Sequence, residues 1–276
     1  MIYLALSHDV DRTKKTFQFL THLMKARSLS NFKYQVKSLF LKDHYWGFEK
    51  IIELENKYNV KSTFFFLNES IPFKPFQISN WKLSVGYYNM LNQRIQEVIK
   101  DLDKNGWEIG LHGSFLSYKD LILLQKEKED LESIVSHKIQ GIRQHFLNLN
   151  ENTWHIQKQA GFSYDASFGF TRDVGFKDNI YIPFSPNNMK DFIVIPLAIM
   201  DFCLIKQEKP IERAIEIINE ADKNNGLLVL NWHQRTFNKE EFPGYSELYE
   251  SIIIECLKRN AIIGPINEVL DKMKIN

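Results

Sequence analysis

Short apolar runs that stop on polar, chemistry-bearing residues recur along this chain. The run 2–6 leads into Ser7-His8-Asp9-Val10-Asp11, the run 107–111 into His112-Gly113-Ser114, 139–142 into Arg143-Gln144-His145, and 227–230 into Asn231-Trp232-His233. Runs this short and this continuously apolar predict strands buried on both faces. The segments 62–67, 162–167 and 192–196 read the same way, which gives seven strands. Between them, Leu91, Ile95, Val98, Ile99 and Leu102 recur at helical spacing and predict an amphipathic helix over 90–102, ended by Asn105-Gly106. Further helices are predicted at 16–23, 48–57, 118–135, 153–160, 211–221, 245–257 and 266–273.

Strands that alternate with helices imply a parallel sheet, and seven in a chain of this length suggest a barrel. In such folds the site sits at the carboxyl ends of the strands. Four strands here end on Asp, His, Arg and His. The long aromatic segments 24–46 and 171–190 are expected to be irregular loops over that face.

Composition narrows this picture. The 276 residues suit one domain over 1–276, with no repeat or linker to divide it. With 35 Lys+Arg against 34 Asp+Glu, the overall field gives no case for a nucleic-acid partner. Cys203 and Cys256 form no C-x-x-C pair and suit a reduced compartment. Asp9 ends the first apolar run too early for a secretory signal. No apolar stretch approaches the roughly 20 residues needed to span a bilayer. The expectation is a soluble cytoplasmic protein of open oligomeric state. The basic and aromatic stretch 14–42 is compatible with attachment to a membrane surface, and more simply with a solvated helix face backed by a buried side.

Hydrolytic metal chemistry needs about three protein ligands and an open coordination position. It also needs a carboxylate to accept the water's proton and an acid to protonate the leaving group. The strand ends offer all of these. Asp9 and Asp11 lie on one side of an extended chain, with Val10 facing away.

In this order the residues resemble the polysaccharide deacetylase family, the NodB-homology fold of carbohydrate esterase family 4. The family's T-F-D-D motif is similar to Ser7-His8-Asp9-Val10-Asp11. Its G-[HW]-E-I-G strand before H-[ST]-x-x-H is similar to Gly106-Trp107-Glu108-Ile109-Gly110 before His112. Its R-x-P-[YF] motif resembles Arg143-Gln144-His145-Phe146. Its aspartate-bearing strand resembles Gly161-Phe162-Ser163-Tyr164-Asp165, and its L-x-H motif resembles Leu230-Asn231-Trp232-His233 with one extra residue. The resemblance covers essentially the whole chain. The variant motifs look like a divergent branch associated with bacterial surface-polysaccharide loci.

The resemblance implies a distorted (β/α)7 barrel and a metal-dependent deacetylase. It assigns Asp11 and His112 to the metal and Asp9 to the general base, with the reverse order of the two aspartates also open. The family's second metal histidine would fall at Leu116, which cannot bind metal, so His145 is the expected third ligand and His8 a less favoured one. The ion is expected to be zinc, with Co2+, Ni2+, Mn2+ or Fe2+ also suited to Asp/His/His ligation. Arg143 is expected to hold the base carboxylate, His233 to be the general acid, and Asp165 or Asp201 to orient His233. A backbone amide near Phe146 or Leu147 is a candidate oxyanion donor. Trp232, Phe146 and Tyr164 are candidates to stack on sugar faces. The implied substrate is an N-acylated amino sugar, nucleotide- or lipid-linked if the protein is cytoplasmic. Two further readings are a hydrolase of a non-sugar amide or cyclic ureide, and a metal-free glycan-binding protein.

Overall fold

The computed structural model of the chain describes residues 2–16, 18–24, 29–40, 43–186 and 189–273. Its strands are β1 (Tyr3–Val10), β2 (Thr63–Leu67), β3 (Glu108–Gly113), β4 (Gly141–Gln144), β5 (Tyr164–Gly169), β6 (Ile193–Leu197), β7 (Ile199–Met200), β8 (Leu227–Asn231) and β9 (Ile262–Gly264). They pair in the order β6-β5-β4-β3-β2-β1-β8-β7, every named pair parallel. Only Ala198 separates β6 from β7. Residues 193–200 are therefore one stave whose first half pairs with β5 and whose second half pairs with β8. This nearly closes a barrel of seven staves, as the seven apolar runs predict. Short β9 pairs with the first residues of β1, below the point where β2 takes over.

The described helices are α1 (Gln18–Met24), α2 (Leu29–Ser38), α3 (Phe48–Lys57), α4 (Ile78–Ser84), α5 (Gln93–Lys104), α6 (Leu121–Val135), α7 (Thr153–Gln159), α8 (Asp201–Leu204), α9 (Pro210–Lys223), α10 (Tyr245–Lys258) and α11 (Ile266–Met273). None of the described helices is long and apolar enough to cross a membrane. The expected loop 24–46 contains α2, and its residues 25–28 and 41–42 lie outside the described residues. The segment 171–190 is irregular as expected, with a short 3-10 turn at Lys177–Asn179.

Two apolar layers follow from strand alternation. Leu4, Leu6 and Val10 of β1 face outward and join Phe64, Phe66 and the helices in the larger cluster. Ala5, Phe65, Tyr164, Ala166, Ile195 and Val229 face inward and pack with Ile266 and Val269 of α11, which plugs the amino-terminal end of the barrel. The same alternation turns Asp9 inward and His8 outward. His8 is fully buried, with Nδ1 2.8 Å from the Trp232 carbonyl and Nε2 2.9 Å from Glu55. Glu55 of α3 also accepts hydrogen bonds from Ser62, Trp107 and Tyr249. A buried carboxylate satisfied on four sides ties α3 to the sheet and to α10. His8 is a structural residue and not a metal ligand.

Candidate metal centre and catalytic cleft

β1 runs to Val10, further than its apolar run suggests, because pairing with β2 begins at Ser7. That extension carries Asp9 and Asp11 to the carboxyl edge of the barrel. Register places His112 of β3 beside Arg143 of β4, and His145 lies just beyond. Asn231 of β8 lies across from Ser7, with His233 two residues on. The side chains of Asp9, Asp11, His112, His145 and His233 line one cavity of about 260 Å³, with Phe146, Met200, Phe202 and Arg235.

Asp11, His112 and His145 are all buried, and one ligand atom from each lies within 4.8 Å of the others. His112 Nδ1 lies 2.8 Å from the Arg143 carbonyl, which can only accept. The proton therefore sits on Nδ1, and the Nε2 lone pair faces Asp11 Oδ1 at 3.3 Å. Two acceptors at this distance repel unless a cation or a second proton stands between them. Asp11 Oδ1 is buried and has no hydrogen-bond partner. Tetrahedral zinc ligands at about 2.0–2.1 Å from the ion stand roughly 3.3 Å apart, the separation of this pair. His145 Nδ1 lies 3.4 Å from Glu69 Oε2, so a carboxylate backs this ring in the way that orients metal-bound imidazoles. The donor set fits a divalent cation.

The two carboxylates make the pocket a place where positive charge, a proton or a cation, is favoured. Burial opposes the charged form of Asp11, but Arg235, with Nη1 2.5 Å from Oδ2, and the nearby histidines hold the carboxyl well below the ordinary range. Burial likewise opposes the charge of Asp9, yet His112 and Arg143 lower it. His112 is raised, since Asp9 and Asp11 outweigh its burial. His145 is lowered by burial, which the Glu69 and Asp11 carboxylates do not overcome, and a neutral imidazole is the ligating form.

Asp9 is held on both oxygens. Arg143 Nη1 donates to Oδ1 at 2.9 Å and Asn231 Nδ2 to Oδ2 at 2.6 Å. Across the cavity, His233 Nδ1 lies 2.8 Å from Asp201 Oδ1, and the His233 amide donates to Asp201 Oδ2 at 2.9 Å. This turns Nε2 toward the site, 3.7 Å from Asp11. Of the two aspartates considered as partners of His233, the structure brings Asp201 to it. Phe146 is half exposed at the rim of the cleft. Phe146 and Leu147 both carry left-handed backbone, with φ of 60° and 54°. Two such non-glycine residues in succession, immediately after His145, are strained backbone at the site.

Three expected site residues lie elsewhere. Asp165 is fully buried and accepts from Ser167 N, Ser167 Oγ and Gln157 Nε2. Ser167 Oγ in turn accepts from the Gln144 amide. Asp165 thus pins the irregularity between β5 and β6 and braces the end of β4, away from His233. Tyr164 is buried inside the barrel. Its ring fills the space left by Gly141, where an added Cβ would stand 2.0 Å from Cζ, and its hydroxyl meets Glu108. Trp232 is fully buried on Tyr249 of α10. Neither aromatic offers a face to a sugar.

Glu69, Asn231 and Arg235 join the site without having been singled out as site residues. Glu69 follows the end of β2, the same strand-end signal that marked the other residues, masked there by the Phe64-Phe65-Phe66 run. Beneath the His112 loop, Glu127 of α6 accepts from the Ser114 amide at 3.1 Å while its Oε1 has no partner. Burial pushes its carboxyl up from 4.5 to about 7. Its folded state therefore holds the proton more tightly than the unfolded chain. The resulting stability is full below the ordinary carboxyl range and is lost as pH rises through about 7. In Glu127→Gln, urea unfolding is expected to lose this decline between pH 5 and 8, a difference of up to about 3 kcal/mol. Equal pH profiles for variant and wild type would contradict the assignment.

The seven-staved barrel with a polar cleft at its carboxyl edge is the fold of the polysaccharide deacetylases, as the motifs implied. Among solved structures, the chain is similar to a provisionally named polysaccharide deacetylase from Mycobacterium smegmatis, at 16% identity and a TM-score of 0.63 over 98% of this chain and 89% of that one. It is similar to another from Pseudomonas aeruginosa PAO1, at 15% identity and 0.61 over 98% and 90%. It is also similar to a CE4 family pseudoenzyme from Bacillus anthracis, at 14% identity and 0.51 over 98% and 65%. No family model matches the sequence, and no curated protein does.

Proposed function

We propose that this protein is a metal-dependent hydrolase that removes an N-acetyl or other N-acyl group from an amino sugar. One observation carries the reading. Asp11, His112 and His145 face a single cavity between a carboxylate held by Arg143 and an imidazole held by Asp201. Asp11, His112 and His145 would hold a divalent cation, zinc being best suited, which when bound would polarise the amide carbonyl and lower the pKa of water. Asp9, kept ionised by Arg143, is placed to accept a proton from the attacking water. His233 Nε2, aimed inward by Asp201, gives a proton to the departing amine. Arg235 neutralises the far oxygen of Asp11 and leaves Oδ1 for the cation. The backbone amides at Phe146 and Leu147, on the cavity wall, are suited to the developing oxyanion.

The resemblance of the motif variants to those of surface-polysaccharide loci supports a role in surface-polysaccharide or glycolipid biosynthesis, on a nucleotide- or lipid-linked intermediate in the cytoplasm. Acetate release from N-acetylated hexosamine oligomers, nucleotide sugars and lipid-linked sugars, with Zn2+ or Co2+ supplied, tests the reading. Release that stops on chelation is expected. Hydrolysis confined to cyclic ureides would move the substrate class. Sugar binding without hydrolysis at any metal supplement would make it a binding protein.

Asp201→Asn is expected to lower kcat by about 100-fold with KM within a few-fold, since the amide side chain misorients His233. An unchanged kcat would show that catalysis does not depend on Asp201 orienting His233.

A further inference from the structure

α2 is amphipathic in the inverted sense. Tyr34, Gln35 and Ser38 face the protein, where Tyr34 accepts a hydrogen bond from Asn238 and Gln35 accepts one from Lys15 at 2.5 Å. The opposite face carries Leu29, Phe32 and Val36, continued by Leu39 and Phe40, all exposed, with Leu29 at 69% and Phe40 at 85%. Lys33 and Lys37 are exposed on its flank. A helix that turns polar groups inward and an unbroken apolar ridge outward is not explained by folding of this chain alone.

Charge is segregated onto the same stretch. Residues 12–42 contain eight Lys and Arg and no Asp or Glu, while the rest of the chain holds 27 against 34. A chain of net charge +1 thus places +8 on 31 residues and −7 on the others.

We propose that the outward face of α2 docks this protein on an anionic lipid bilayer. Its apolar ridge enters the interface, and the lysines beside it meet acidic headgroups, the arrangement of an interfacial helix. A nucleic acid would meet cations at the apex, and here the apex is apolar. Leu39 also lines a cavity of about 880 Å³ that reaches Tyr87, whose ring lies 5.7 Å from that of His145. If the deacetylase reading holds, a sugar anchored in that bilayer reaches the cleft along this cavity.

The test is sedimentation of the full chain with vesicles of phosphatidylcholine and phosphatidylglycerol at 3:1, and with phosphatidylcholine alone. Binding to the anionic vesicles is expected, with release as salt rises from about 0.1 to 0.5 M. Lys33→Gln with Lys37→Gln should lower the partition coefficient about fivefold per lysine. Phe32→Ser with Phe40→Ser should lower it at least as much as the lysine pair. No binding of the wild type to anionic vesicles, or equal and salt-insensitive binding to both compositions, overturns the proposal. So does a dimer in the ultracentrifuge that the Phe32→Ser and Phe40→Ser pair dissociates, since a second copy would then cover the ridge. No readout depends on catalysis, so loss of the deacetylase reading leaves this result standing.

Discussion

Asp9→Asn is expected to lower kcat by about a thousandfold while the bound metal is retained and KM stays within a few-fold. Asparagine keeps an oxygen for Arg143 and loses the ability to take a proton. The change also leaves the fully buried Arg143 without its ion pair, which costs about 3–5 kcal/mol where a buried pair is broken on one side. Thermal unfolding must therefore be measured beside the kinetics. A folded, metal-loaded variant with kcat unchanged would place the base elsewhere, and Asp11 would be the next residue to test. Because Asp9 lies below the ordinary carboxyl range, it stays ionised through neutral pH. A rate that falls between pH 7 and 5 would accordingly report a group other than Asp9.

The second large effect belongs to His112. His112→Ala is expected to bring metal below a tenth of an equivalent and to reduce acetate release to background. It removes the nitrogen that faces Asp11 at 3.3 Å and leaves two ligands where hydrolytic sites use about three. The His112 ring also packs at 5.2 Å against that of His145, so the loss should loosen the neighbouring ligand as well. Metal analysis of the gel-filtered variant checks this. Full metal occupancy would show that the cation sits on another set of side chains.

Strand ends were legible because an apolar run that stops on a charge is visible without a structure. The placement of Asp9 and Asp11 on one face, with Val10 in the outer layer, followed from strand alternation alone. The likeness of the motifs to the deacetylases implied the barrel that the chain adopts. The facing of residues within doubly buried strands was not legible, because a continuous apolar run has no alternation to read. Trp232 was expected in the cleft for that reason and lies beneath α10. Tyr164, also expected there, does face inward but opens β5 at the amino-terminal end, away from the cleft. Asp165 and Asp201 were equivalent as sequence. Only the path of β7 into α8 sets Asp201 beside His233. α2 falls inside the segment 24–46 expected to be a loop, although the stretch 14–42 was also read as a solvated helix face backed by a buried side.

The most direct measurement is a Co2+ titration of the metal-stripped protein followed by visible absorption, with His145→Ala alongside. One equivalent of tightly bound cobalt in the wild type, with binding weakened at least tenfold in His145→Ala, is the result expected if His145 completes the site. Equal affinity in the two proteins would contradict that ligand set.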